Sequence, residues 1–208
     1  MTDAYVLREM VGAEQVEFAA LLRGLTPEQW AAASLCRGWS VHDVVIHIAN
    51  HAHTTARQRI AQLARVGFSV TRQLERDRAR PTDELIDWLA SPANLAGPIN
   101  IRTQLAELVI HQQDVRRPLG IVRRLPAERL SVLLDFGLTR VGSASVALSR
   151  RRAKGLRLVG TDIGWSAGTG PEVRGPGEAI FMAVNGRAGA IQDLSGDGTE
   201  VLARRVRS

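Results

Sequence analysis

The stretch "LAELVIHQQDVRRPLG", residues 105–120, predicts an apolar helix that carries polar side chains at helical spacing. Glu107, His111 and Asp114 follow one another at intervals of four and three residues, so they lie on one stripe of an α-helix. This stripe adjoins an apolar face around Leu108, and "RRPLG" ends the helix. An acid, an imidazole and a second acid are therefore expected in a row beside the core.

The size and composition of the chain limit the class of protein. Its 208 residues allow one large domain or two small ones, and 45% of hydrophobic residues suffices for a buried core. No apolar run approaches the roughly 20 residues that cross a bilayer. The N-terminus "MTDAYVLREM" has no cleavage-site pattern. We therefore expect a soluble, cytoplasmic protein with no membrane partner and leave its oligomeric state open.

The formal net charge of +6 raises the question of nucleic-acid binding. However, the basic residues are scattered along the chain and several of them neighbour acids. Aromatic residues make up 4% of the chain, which leaves little for a base-stacking platform, and no standard nucleic-acid motif is present. Composition therefore argues against a nucleic-acid partner.

Cysteine usage restricts the metal chemistry. Cys36 is the only cysteine, so the chain cannot form an intramolecular disulfide or a cysteine-rich zinc site. Because Cys36 lies near two tryptophans, we expect it to be a small, half-buried apolar residue rather than a reactive thiol. Any metal must then be held by histidine and carboxylate.

Helical periodicity extends over residues 1–150 and predicts a mainly α protein. The predicted helical segments are residues 5–23, 41 to about 66, 81–91, the helix of residues 105–120, and a helix within 125–151. Ser40 and Asp43 resemble a capping box at the start of the second segment. The connections between these segments suit an antiparallel bundle.

After Lys154 the pattern changes, and residues 151–208 are expected to form a small α+β domain. "GLRLVGTD" and "IGWSAGTGPEVRG" predict two strands joined near Gly164. "PGEAIFMAVNGRAGAIQDLSG" predicts a helix with a glycine-rich exit, and "TEVLARRV", residues 199–206, predicts a final strand.

The chain has five histidines, of which four lie near the start of the second helical segment. On a helical wheel His42 and His53 lie away from the apolar stripe, whereas His47 and His51 lie on or beside it. His47 and His51 are therefore the two candidates to face a bundle interior. The fifth histidine is His111.

Glu107 and His111 project side by side because they are four residues apart. With a third ligand from a facing helix they would form a three-ligand metal site with an open coordination position. The alternative is that this spacing is accidental and that a core-edge histidine has an ordinary hydrogen-bonded partner. A carboxylate beside an apolar face still needs an arginine, a histidine or a cation as its partner.

Two aspartates have two interpretations each. Asp114 either supports a metal-binding histidine as a hydrogen-bond acceptor or pairs with Arg117 on the helix surface. Asp43, one turn before His47, has the same ambiguity, with helix capping as the stronger structural reason.

"GWSVHDVVIHIA", residues 38–49, followed by "ELVIHQQDVRRPLG" resembles the DinB-like, mycothiol-dependent maleylpyruvate isomerase family. The tail "LRLVGTDIGWSAGTGPEVRGPGEAIFMAVNGR" also resembles the C-terminal domain of that family. The resemblance covers nearly the whole chain. It implies a DinB-like four-helix bundle over residues 1–150, followed by the small α+β domain over residues 151–208.

The resemblance also implies a metal site. His47 matches the first ligand of the family, Glu107 the second and His111 the third. The implied metal is divalent, and two imidazoles with one carboxylate suit zinc. The implied cosubstrate is mycothiol, the low-molecular-weight thiol of actinobacteria, which would react as a thiolate.

The implied enzyme adds this thiolate to a small electrophilic substrate, either as an isomerase or as an S-transferase. A substrate carboxylate would need a cation, and Arg174 and Arg187 in the family-like tail are the candidates for this catalytic role. Two alternatives stay open. One is a metal-dependent hydrolase that uses metal-bound water, and the other is a non-enzymatic binding or regulatory protein with a basic surface.

Overall fold

The chain divides by compactness into two units. The structure is a computed structural model that describes residues 3–53, 56–65, 67, 69–93, 98–138 and 144–207. The units are Met1–Val122 and Arg123–Ser208. The domain boundary predicted from the sequence, at residue 150, lies within the second of these units. The compact C-terminal unit begins earlier because two helices that precede residue 154 pack against a later helix of that unit.

Four helices of the N-terminal unit form a bundle. The helices of this unit are, in chain order, α1 (Ala4–Arg23), α2 (Pro27–Ala31), α3 (Val41–His53), α4 (Ala56–Arg65), α5 (Val70–Asp77), α6 (Thr82–Ala90) and α7 (Pro98–Arg116). Both α1 and α3 pack against α6 and α7, which closes a ring of four helices. Each of the four contributes fully buried apolar side chains, among them Phe18, Val45, Leu89 and Leu108. The predicted four-helix bundle is confirmed.

The start of α3 is fixed by the predicted capping box. The Ser40 backbone N–H donates to Asp43 Oδ2 at 3.1 Å, and the Asp43 N–H donates to Ser40 Oγ at 3.2 Å. The Asp43 carboxylate also accepts two hydrogen bonds from the Arg78 guanidinium, at 2.7 and 3.0 Å. These contacts make Asp43 a cap and an anchor for the chain after α5, rather than a support for His47.

The helical boundaries differ from the prediction in two places. The predicted helix from 41 to about 66 consists of α3 and α4, and residues 54–55 between them lie outside the described part of the chain. The charged segment 71–80, for which no element was predicted, contains most of α5. Leu74 and Asp77 are buried there, and Asn50 Nδ2 donates to Asp77 Oδ2 at 3.0 Å. This segment forms a helix because one of its faces is buried, although the segment as a whole is highly charged.

The C-terminal unit is α+β, as predicted. Its elements are α8 (Ala127–Leu138), α9 (Ala144–Ala153), β1 (Arg157–Gly160), β2 (Trp165–Ala167), β3 (Glu172–Gly175), α10 (Gly177–Val184), a 3-10 helix (Ala188–Asp193) and α11 (Thr199–Arg207). The strand order is β2-β1-β3, with β1 antiparallel to β2 and parallel to β3. The apolar helix α10 packs against the sheet and against α8 and α9, and forms the centre of this unit.

Two predicted strands of this unit need correction. The second predicted strand is interrupted between β2 and β3, where Gly168 and Gly170 have positive φ values of 81° and 122°. The predicted final strand over residues 199–206 is wrong, because this segment forms α11. Its buried side chains include the adjacent Leu202 and Ala203, whereas a strand would point neighbouring side chains to opposite faces. Among the described residues, no helix is long and apolar enough to cross a membrane.

Candidate metal site

A polar seam runs between α3 and α7, which pack against each other in the bundle. We define the polar seam as His47, His51, Gln104, Glu107, His111 and Asp114. Helical geometry explains the seam, since its members on each helix recur at intervals of three or four residues. The interior of the bundle therefore contains imidazole, amide and carboxylate groups on an otherwise apolar interface.

The three predicted metal ligands come together in the middle of the polar seam. Glu107 Oε2 lies 3.3 Å from His111 Nε2 and 3.9 Å from His47 Nε2. The centroids of the two imidazole rings are 4.8 Å apart, and the rings are inclined at 73°. One ligand atom from each residue lies within 4.8 Å of the other two. The cluster thus has two nitrogen donors and one oxygen donor aimed at a common volume.

This donor set fits a tetrahedral divalent cation. Metal–ligand bonds of about 2.0–2.1 Å place neighbouring ligand atoms of a tetrahedral zinc site roughly 3.3 Å apart. The separation of Glu107 Oε2 from His111 Nε2 has this value, at 3.3 Å, and the separation from His47 Nε2 is somewhat larger, at 3.9 Å. Three protein ligands leave one coordination position for another molecule.

Glu107 and His111 shift each other's pKa in opposite directions. Burial alone would raise the pKa of Glu107, but hydrogen bonds with His111 and His47 and nearby histidine charge lower it well below its usual value. Burial alone would lower the pKa of His111, but hydrogen bonds with Asp114, Cys36 and Glu107 raise it well above its usual value. Without a metal, a carboxylate and an imidazolium therefore neutralise each other at this position.

Asp114 lies on the other side of the His111 ring. His111 Nδ1 is 3.0 Å from Asp114 Oδ2, and Asp114 is completely buried. An ionised carboxylate can only accept, so His111 donates from Nδ1 and directs Nε2 towards Glu107. Asp114 therefore has the geometry of a hydrogen-bond acceptor that supports a metal-binding histidine, which was one of its two interpretations.

Cys36 also contacts this aspartate. Its thiol donates to Asp114 Oδ2 at 3.1 Å and lies 3.7 Å from His111 Nδ1. Cys36 is half-buried, as predicted, but the expectation of a merely apolar residue is wrong because the thiol is hydrogen-bonded to a buried carboxylate. Sequence reasoning missed this contact.

The segment before α3 also contacts His47. The Trp39 ring lies 5.2 Å from the His47 ring, measured between centroids. The Trp39 N–H donates to the Cys36 carbonyl at 2.9 Å, so a short turn holds both residues. This turn thus places the Trp39 indole against His47 and the Cys36 thiol beside Nδ1 of His111.

Two of the remaining histidines, His42 and His51, lie where the helical wheel predicts. His51 Nδ1 is 2.7 Å from Oε1 of the buried Gln104, which extends the polar seam by one turn. His42 lies outside the polar seam and packs edge-on to the Trp30 ring, with 5.9 Å between centroids. The side chain of His53 is outside the described part of the chain.

The two arginines predicted to bind a substrate carboxylate belong to the C-terminal unit. Arg174 on β3 is exposed, and its Nε lies 3.5 Å from Glu172 Oε1. It lines an open cavity of about 330 Å³ together with Arg157 and Trp165. Arg187 is half-buried, and its Nη1 donates to the Asn185 carbonyl at 2.9 Å. Their catalytic role stays a prediction.

Comparison with known proteins relates the chain to one family. Residues 11–97 match the family model described as "Mycothiol maleylpyruvate isomerase N-terminal domain". This segment includes His47, whereas Glu107 and His111 lie beyond it. No curated protein matches the sequence.

Two solved structures are similar to the whole chain. A crystal structure of a histidine-to-alanine mutant of the mycothiol-dependent maleylpyruvate isomerase has a TM-score of 0.64 and 14% sequence identity. A crystal structure of the mycothiol-dependent maleylpyruvate isomerase has a TM-score of 0.63 and 15% identity. Each comparison covers 95% of this chain and 94% of the other. At this identity the similarity establishes the fold. The resemblance seen in the sequence is thereby confirmed: residues 11–97 match the N-terminal domain model of the mycothiol-dependent maleylpyruvate isomerases, and the chain has the fold of the solved isomerase.

Proposed function

We propose that this protein is a divalent-metal-dependent enzyme that uses mycothiol to modify a small electrophilic substrate. The observation that carries the proposal is the convergence of His47, Glu107 and His111 on one volume within 4.8 Å. This cluster lies on α3 and α7 of the bundle. Residues 11–97, which include α3, match the model of the isomerase N-terminal domain. The reaction class that fits best is thiol-dependent isomerisation, with S-transfer as its close relative.

The three residues would hold the metal, and zinc suits two imidazoles and one carboxylate. When bound, the cation supplies a Lewis acid that lowers the pKa of a coordinated thiol. Glu107 contributes the negative charge that offsets part of the cation's charge. Asp114 keeps the proton of His111 on Nδ1, so that Nε2 is the nitrogen available for coordination.

The cluster is accessible from one side. The His47 and Glu107 side chains are 27% and 19% exposed, whereas the His111 side chain is 8% exposed. Asp114 and Cys36 lie behind His111. A thiol would therefore approach beside His47 and Glu107, where the Trp39 indole forms part of the surroundings.

In the isomerase reaction, the sulfur of the thiolate forms a bond to one carbon of an activated cis double bond. Rotation follows about the resulting single bond, and the carbon–sulfur bond then breaks to release the trans product and the thiolate. A transferase would instead keep the new carbon–sulfur bond, either because the neighbouring carbon takes up a proton after the addition or because a leaving group departs from the attacked carbon with its electron pair. Arg174 and Arg187 are proposed to bind the carboxylate of the substrate through their guanidinium groups.

The proposed ligand set predicts which histidines retain metal. After zinc loading and dialysis, wild-type protein should retain about one zinc per chain, because three ligands bind it together. His47→Ala and His111→Ala should each retain less than about a tenth of that amount. The measurement is elemental analysis of purified protein. His42→Ala is the matched control, because His42 lies on the same helix as His47. Equal zinc contents in all four proteins would contradict the proposed metal site.

The coupled pKa values predict opposite pH trends for metal-free and zinc-loaded protein. Folding favours the protonated form of His111, so its contribution to metal-free stability is present below its unfolded pKa of about 6.5 and is lost as pH rises through the folded value. Zinc must displace the proton from Nε2, so zinc affinity should fall about tenfold per pH unit below that folded pKa. The measurements are urea unfolding and chelator competition across a pH series.

Asp114→Asn provides the control for this pH dependence. Asp114 makes the largest contribution that raises the pKa of His111, so the variant should begin to lose zinc affinity at a lower pH than wild type. An unchanged pH of onset would contradict the proposed coupling between Asp114 and the metal site.

The use of mycothiol is tested by calorimetric titration. Zinc-loaded protein should bind mycothiol, and the same protein after chelation of its zinc should bind it at least about tenfold more weakly, because the thiolate then lacks its cation. Turnover of maleylpyruvate with and without mycothiol is measured in parallel. Zinc-loaded protein that binds no mycothiol would instead favour the hydrolase alternative.

The carboxylate-binding role of the arginines is tested by enzyme kinetics. Arg174→Gln and Arg187→Gln should each raise KM for maleylpyruvate about 10- to 100-fold, because each loses a charge-assisted hydrogen bond. Arg150→Gln, an exposed arginine on α9, is the control. An arginine whose substitution changes KM no more than this control has no part in carboxylate binding.

A further inference from the structure

The contact between Cys36 and Asp114 is left unexplained by the proposed function. The thiol and the His111 ring donate to the same atom, Asp114 Oδ2, at 3.1 and 3.0 Å. Together these three residues form a series of hydrogen bonds from the segment before α3 to Nδ1 of His111, the ring nitrogen that faces away from Glu107. No member of that chain except His111 belongs to the proposed ligand set.

Burial makes this arrangement energetically significant. Asp114 is 0% exposed, and a buried carboxylate is costly unless hydrogen-bond donors compensate its charge. Hydrogen bonds to ionised groups are stronger than those between neutral groups. The Cys36 thiol is one of the donors that hold this carboxylate, so it also restrains the orientation of the carboxylate beside His111.

The position of the thiol is set by backbone contacts. Ser34 Oγ accepts a hydrogen bond from the Cys36 N–H at 3.1 Å and donates to the Trp39 carbonyl at 2.9 Å. The Leu35 N–H donates to the Asp114 carbonyl at 3.1 Å, which attaches this turn to α7. Hydrogen bonds within this turn and from the turn to α7 therefore hold the thiol in place beside Asp114.

We propose that Cys36 is a positioning residue for the metal site, and that it acts through Asp114 on the orientation and tautomer of His111. The proposal rests on the proposed function for the identity of the metal site. With Oδ2 held by the thiol, Asp114 accepts the hydrogen bond from the Nδ1–H of His111 in one geometry, and His111 Nε2 stays aligned with Glu107. Cys36 itself contacts neither the metal nor the substrate.

The test compares two substitutions that differ in hydrogen bonding. Cys36→Ser keeps a donor of similar size, whereas Cys36→Ala removes it. Loss of an outer hydrogen-bond partner typically weakens metal binding 10- to 100-fold. Zinc affinity, measured by chelator competition, should therefore fall about 10- to 100-fold in Cys36→Ala and stay near the wild-type value in Cys36→Ser. Equal affinities in the two variants would overturn the proposal.

A double-mutant cycle tests the route through Asp114. In an Asp114→Asn background, Cys36→Ala should have little further effect on zinc affinity, because the intermediate acceptor is already altered. A full additional loss in the double variant would overturn the proposed route. Cobalt-substituted wild-type protein should lack a thiolate-to-cobalt charge-transfer band, and such a band would make Cys36 a ligand instead.

A metal-free measurement separates this proposal from the proposed function. The hydrogen-bonded Nδ1 proton of His111 should give a low-field proton resonance in metal-free wild-type protein and in Cys36→Ser, and this resonance should shift or broaden in Cys36→Ala. If wild type binds no zinc but the resonance depends on Cys36 in this way, the metal function fails, whereas the effect of Cys36 on the His111 ring through Asp114 stands. A resonance that is unchanged in Cys36→Ala would overturn the positioning role.

Discussion

The packing of α3 against α7 buries carboxylates inside the bundle, and the other features of the site depend on how their charge is compensated. Glu107 is largely buried and Asp114 is completely buried. Unpaired charges would be costly there, so the imidazole of His111 lies between the two, with one ring nitrogen facing each carboxylate. The position of this ring is therefore required by electrostatics before any ligand is considered.

The same requirement links metal binding to protonation. A proton on His111 Nε2 and a divalent cation are alternative ways to compensate the charge of Glu107, and only one of them can occupy the position beside Nε2. The raised pKa of His111 and the lowered pKa of Glu107 describe the first state. Our proposed enzyme uses the second state. The charge of Glu107 is thus compensated with or without the metal, and the cation and the proton compete for the position beside Nε2.

Local periodicity explains which parts of this arrangement the sequence could predict. Glu107, His111 and Asp114 share one helix, so spacing alone predicted their common stripe, and Gln104 could have been found by the same rule, seven residues before His111. The contact of Cys36 with Asp114 spans 78 residues and depends on a turn with no periodic signal. The final helix α11 was mistaken for a strand because residues 199–206 form too short a segment for helical periodicity to be recognised, and the burial of the adjacent Leu202 and Ala203 is visible only in the fold.

The resulting site is asymmetric, and this asymmetry bears on its chemistry. Behind His111, Asp114 and Cys36 are hydrogen-bonded to the ring or to each other, so that side contributes rigidity. In front, His47 and Glu107 are partly exposed, so that side can admit a further ligand. A cation bound by the proposed ligands would have its protein ligands fixed on the side of Asp114, while a further ligand could exchange on the accessible side. This asymmetry suits the proposed thiol, which must bind, react and leave again. Each of these steps would change the ligands on the accessible side only.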